Sequence, residues 1–109
     1  MSDTPTLAEI FPTAGTTTLL YTVGALTNAT GTVFCMNQNN TVDLIKVALV
    51  PDAQVLSGNS YIAYNTMIYH GQSLYLQQIY LNSGDSIYVE SQNGTSNFIF
   101  NGTLDPTTI

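Results

Sequence analysis

Along most of this chain apolar and polar positions alternate with a period of two. Val33 and Cys35 oppose Phe34 and Met36, Ile45, Val47 and Leu49 oppose Lys46 and Ala48, Ile87 and Val89 oppose Tyr88 and Glu90, and Phe98 and Phe100 oppose Ile99. That period belongs to strands with one buried face. The runs are short, rich in β-branched and aromatic residues and bounded by Gly, Asn, Asp and Ser, and no stretch of helical period competes with them. They predict strands at residues 19–23, 31–38, 42–50, 61–64, 67–69, 73–81, 86–92 and 97–104. Lys46 falls on the solvent phase of its strand. Leu74 and Leu76 are out of phase with Ile79 and Leu81, which predicts a bulge at Gln77-Gln78. About eight short antiparallel strands in one chain imply an all-β fold, a single sandwich of jelly-roll or immunoglobulin-like topology.

The punctuation refines this picture. Asn93-Gly94 sits between two alternating runs and predicts a tight hairpin, since both residues tolerate positive φ. Ser83-Gly84-Asp85, His70-Gly71-Gln72 and residues 37–40 predict further turns, and residues 51–60 form the longest loop, the first place to look for a variable recognition surface. Residues 1–17, with Pro5, Pro12 and Gly15, read as an extended N-terminal arm ahead of a sandwich domain at 18–109. Leu7, Ile10 and Phe11 within the arm share a helical spacing. That island either forms one turn that docks on a neighbouring subunit or lies along its own sandwich.

Charge narrows the functions. Seven acidic residues stand against one lysine, with no arginine and a net charge of −6. Gripping nucleic acid by its phosphates needs clustered Lys and Arg, so nucleic-acid binding is excluded, and a polybasic membrane patch fails for the same reason. No apolar run approaches the roughly 20 residues that span a bilayer. Charged residues make up 7% of the chain against about 25% in ordinary domains, while the hydrophobic share of 44% is normal. Thr, Asn, Ser and Gln fill 40 of the 109 positions. The chain therefore folds, and its exposed faces carry hydroxyls and amides that suit permanent packing against copies of itself or a neighbour. The N-terminus lacks a basic segment followed by an apolar one, so synthesis in a cytosol is the expectation.

Candidate chemistry is sparse. Cys35, alone and flanked by apolar residues, excludes an intramolecular disulfide and reads as a buried thiol. His70, the one histidine, sits beside Gly71 with neither a nucleophile elbow nor an oxyanion turn nearby, and one His with one Cys cannot close a zinc site. Asp43, Asp52, Asp85 and Glu90 would have to converge in space to act as a glycosidase pair. Asn82, Ser83 and Asp85 make an oxygen-rich turn, but one carboxylate is too few for calcium, and Asp85 reads as a turn stiffener. Four Asn-X-Thr sequons, at Asn28, Asn39, Asn93 and Asn101, follow from the abundance of Asn and Thr. No catalytic residue, cofactor or metal is expected. More informative are Tyr61, Tyr64, Tyr69, Tyr75, Tyr80 and Tyr88, which cluster in one stretch of strands. An outward stripe of tyrosine suits a protein interface or a glycan surface; the alternative is that the rings pack across strands of their own sheet.

The run Leu20-Tyr21-Thr22-Val23-Gly24-Ala25, then Val33 to Asn37, Ile45 to Pro51, Tyr61-Ile62-Ala63-Tyr64-Asn65 and Ile79 to Val89 resembles small virion structural proteins of tailed phages, as in cyanophages. The likeness spans residues 12–102, with Gly24 in place of a usual proline and Pro51-Asp52-Ala53 in place of Pro-Ala-Gly. It implies a β-sandwich particle protein without catalytic residues, located in the virion after synthesis in the host cytoplasm. The first expectation is a capsid decoration (cement) protein, a homo-oligomer, dimer or trimer, bound to the major capsid protein. The alternative is a neck, tail-fibre or baseplate component that touches a receptor or glycan. The expected contact residues are Leu7, Ile10, Phe11, Tyr61, Tyr64, Tyr69 and Tyr75.

Overall fold

The computed structural model describes residues 6–106. Eight strands follow one another as β1 (Thr6–Ile10), β2 (Thr18–Thr22), β3 (Thr27–Asn37), β4 (Asp43–Val50), β5 (Tyr61–Ile68), β6 (Ser73–Leu81), β7 (Ser86–Ser91) and β8 (Ser96–Pro106). They form two antiparallel four-stranded sheets, ordered β1-β8-β3-β6 and β2-β7-β4-β5, that pack as a sandwich. Successive strands alternate between the sheets except for β4 and β5. That order is the jelly roll rather than the immunoglobulin arrangement.

Alternation is what fills the core. Val33 and Cys35 of β3, Ile45 and Val47 of β4, Ile87 and Val89 of β7, and Phe98 and Phe100 of β8 all point inward and are buried, together with Ile79 and Leu81 of β6. The two central ladders are unbroken. β3 and β8 pair along eleven residues, from Thr27 with Pro106 to Asn37 with Ser96, and β4 pairs with β7 from Ile45 with Ser91 to Val50 with Ser86. Gly31 and Gly102 face each other in the longer ladder, so close that a Cβ on Gly31 would lie 2.0 Å from the Asn101 carbonyl oxygen.

Each of the four edge strands, by contrast, carries an extra residue relative to its neighbour. The register slips at Leu7 in β1, at Leu20 in β2, twice in β5 and at Gln77-Gln78 in β6. Asn65 and Gln78 adopt positive φ at these points. The expected β6 bulge is present. The β5 irregularity explains why alternation suggested two strands, 61–64 and 67–69, where there is one.

Three expectations are corrected. An extended N-terminal arm is not supported: residues 6–10 form β1, which pairs with β8 from Thr6 with Asn101 to Ile10 with Phe98. Leu7, Ala8 and Ile10 pack on the protein's own core, and Pro12 is buried, so of the two alternatives for the island the helical turn docking on a neighbour falls and the one lying along its own sandwich holds. Extended pairing wins because a lone helical turn cannot satisfy its backbone, whereas the open edge of β8 can. Residues 1–5 of the expected arm lie outside the described residues. The Asn93-Gly94 turn, lastly, is no hairpin, because β7 and β8 belong to opposite sheets.

Candidate functional site

The ends of four strands meet in a buried polar group. Asn37 closes β3, Asp43 opens β4, Ser91 closes β7 and Ser96 opens β8, and all four are buried. Each continues the inward phase of its strand, where the adjacent chain must cross from one sheet to the other. Asp43 accepts hydrogen bonds from the Ser91 and Ser96 hydroxyls and from the backbone N–H of Leu44 (3.0 Å) and of Asn93 (2.9 Å). Asn37 donates to the carbonyls of Thr41 (2.6 Å) and Ile68 (2.9 Å) and accepts from the Thr95 hydroxyl (2.9 Å). The carboxylate thus replaces water for the turn at 92–95, and no buried side-chain polar atom among the described residues is left without a partner. This group is architecture. It is closed to solvent.

The other acids are dispersed and occupied. Glu90 pairs with Lys46 at 3.2 Å on the outer face of β4 and β7, and also accepts from the Thr17 hydroxyl. Asp85 accepts from the backbone N–H of Asp52 (3.0 Å) and of Asn82 (2.8 Å), the stiffening role its turn suggested. His70 Nδ1 donates to the Asn39 carbonyl at 2.6 Å and ties the β5–β6 turn to the β3–β4 loop. Among the described residues no group of three or more His, Cys, Asp or Glu side chains comes together. Cys35 is buried, and burial pushes its thiol up to about 12, opposed by a hydrogen bond with Ser96 and reinforced by the nearby Asp43 charge.

What remains is surface. On the outer face of the β1-β8-β3-β6 sheet, register places Ile99, Phe34 and Tyr75 side by side, and the rings of Phe34 and Tyr75 meet at 4.8 Å. Around this row stand Asn97, Asn101, Thr32, Thr30 and Thr103, with Asn28 donating to the Tyr80 hydroxyl at 3.2 Å. The opposite sheet carries Tyr88, Ala48 and Tyr61 in one row, which buries Ala48 between two rings. Tyr61 meets Tyr64 edge-on at 5.0 Å, and Lys46 Nζ lies 5.0 Å from the Tyr64 ring centroid. Lys46 points outward as expected.

The expected contact residues therefore do not form one patch. Tyr61 and Tyr64 come together on β5, whereas Tyr75 faces the other way on β6, and Tyr69 sits in the turn between them. Leu7 and Ile10 are half-buried on the far edge, and only Phe11 of that trio is exposed, at 52%, where it borders a shallow cavity of about 360 Å³ with Glu9, Ile10, Gln38 and Asn97. Tyr75 packs across strands on Phe34 and Tyr61 meets Tyr64 within β5, while Tyr64, Tyr69, Tyr75 and Tyr80 remain more than half exposed. Comparison with known proteins finds no match to any family model, curated protein or solved structure.

Proposed function

We propose that this chain is a structural protein of a tailed-phage particle, a decoration or cement protein that binds the assembled head shell, with the major capsid protein and copies of itself as partners. The observation that carries the reading is the chemistry of its outer faces. They present Tyr, Phe, Ile, Thr and Asn with few charges, a surface that can be covered by a neighbour at small desolvation cost. Because such a protein binds the assembled shell and not its separate subunits, binding stabilises the assembly by mass action. The sequence likeness over residues 12–102 supports this. The jelly roll, an architecture that recurs in viral capsid domains, supports it by analogy of fold alone.

The neck, tail-fibre or baseplate reading is favoured by one feature, the 51–60 loop, where Pro51, Gln54, Val55, Ser57 and Asn59 border an open groove of about 440 Å³. Copy number separates the two. In particles grown with an epitope-tagged copy of the chain, the decoration reading expects an abundance commensurate with the major capsid protein, and heads lacking the chain should release DNA at lower temperature. A few copies per particle would favour the fibre. Absence from purified particles would overturn both.

A further inference from the structure

We propose that the side of the sandwich bounded by β5 and β6 is a self-association surface, on which a second copy of this chain docks side chain against side chain. The β1 and β2 edges lie against each other at one side, so β5 and β6 form the opposite one, joined by the Tyr69 to Gln72 turn. From Ala53 to Gly84 the sequence contains no Asp, Glu, Lys or Arg, a run of 32 residues in a chain of net charge −6. Both strands lie within that run. Ile62, Tyr64, Met67, Tyr69, Tyr75 and Tyr80 are each between 44% and 60% exposed there. Tyr64 and Met67 stand on the outward phase of β5 and Tyr75 and Tyr80 on that of β6, so they flank the side from the two sheets and face away from each other rather than forming one patch.

Charge selects the occupant. A partner recognised through ion pairs would need charges to answer, and this side offers none. The exposed carboxylates among the described residues, Glu9, Asp52 and Asp105, and the half-buried Asp85 all lie outside this run, so a twofold-related copy meets no like charge from β5 or β6, and an isologous contact requires only that the surface be complementary to itself. The area suffices. Nine residues of β6 at about 3.3 Å each, across the molecule's 19 Å shortest extent, give about 560 Å² per copy, so a pair clears the roughly 1,000 Å² expected of a specific interface. The bulges in β5 and β6 set the mode of contact: they interrupt the free backbone edge, so the copies do not join in a continuous ladder that could propagate.

Sedimentation velocity on the purified full-length chain, over a concentration series and without particles, tests this. The expected result is a reversible dimer, weakened at least about tenfold by Tyr75→Glu or by Met67→Glu, which place like charges against each other across the contact. Leu19→Glu, equally exposed but on β2 at the other side, should leave association unchanged, and melting curves of all three variants should match the parent within a few degrees. A monomer at every concentration would overturn the proposal. So would a dimer insensitive to both β5 and β6 charges, or one that Leu19→Glu weakens equally. Because no particle is present, a monomer here would leave the head-shell reading standing, and absence from particles would leave the dimer standing.

Discussion

At the residue scale the most consequential side chain is Asp43. It is buried, has no cation beside it among the described residues, and holds four donors from three segments. Asp43→Ala would orphan the Ser91 and Ser96 hydroxyls and two backbone N–H groups at the sheet crossing. The expected cost is about 3 to 5 kcal/mol, with Asp43→Asn intermediate because it keeps one acceptor oxygen, and urea denaturation would measure both. The position was readable: Asp43 is in phase with Ile45 and Val47, as Asn37 is with Val33 and Cys35, Ser91 with Ile87 and Val89, and Ser96 with Phe98 and Phe100. A polar residue on the inward phase at a strand end is the signal, but only the fold shows that four such ends converge. Cys35 supplies a pH dependence. Burial pushes its thiol from the ordinary 9.0 up to about 12 in the folded chain, so the unfolded chain loses its proton first and the contribution of Cys35 to stability, complete below pH 9, declines as pH rises towards 12. The stability advantage of the parent over Cys35→Ala should therefore be constant at neutral pH and shrink above pH 9. An advantage that stayed level would mean a thiol open to solvent.

At the scale of elements, alternation located every strand but β1, because a half-buried strand writes its period into the chain. It could not reveal connectivity. A turn such as Asn93-Gly94 specifies that the chain reverses, not whether the next strand returns to the same sheet or crosses to the other, and here all connections cross except β4 to β5. β1 is not legible in the sequence because five residues, one of them Glu9 facing out and one the bulged Leu7, leave too little alternation to read. Its removal has a definite consequence. Deleting residues 1–17 takes Leu7, Ala8 and Ile10 off the core, strips one side of β8 and breaks the Gly15 N–H bond to the Ser91 carbonyl. A loss of about 2 to 4 kcal/mol should follow, visible as a lower urea midpoint with a steeper fall for the deletion than for Phe11→Ala, which touches only an exposed ring. An unchanged midpoint would mean that β1 merely rests on the sheet.

For the whole molecule, the depletion of charge does two separate jobs. Net charge −6 keeps copies apart at long range, while the 32 uncharged residues from Ala53 to Gly84 leave one side on which they can meet. Edge strands are commonly protected by lysine, and a chain with one lysine, already paired with Glu90, has none to spend there. Bulges in all four edges take over that protection, which stops ribbons without preventing a closed contact. The sign of the salt response follows from this division. Repulsion between two net-negative copies is screened by added salt, whereas the contact itself holds no ion pair for salt to weaken. Self-association should therefore tighten modestly between low and moderate ionic strength, by sedimentation at neutral pH. An interface built on the Lys46–Glu90 face would respond in the opposite sense, and a dimer that loosened with salt would move the contact to that sheet.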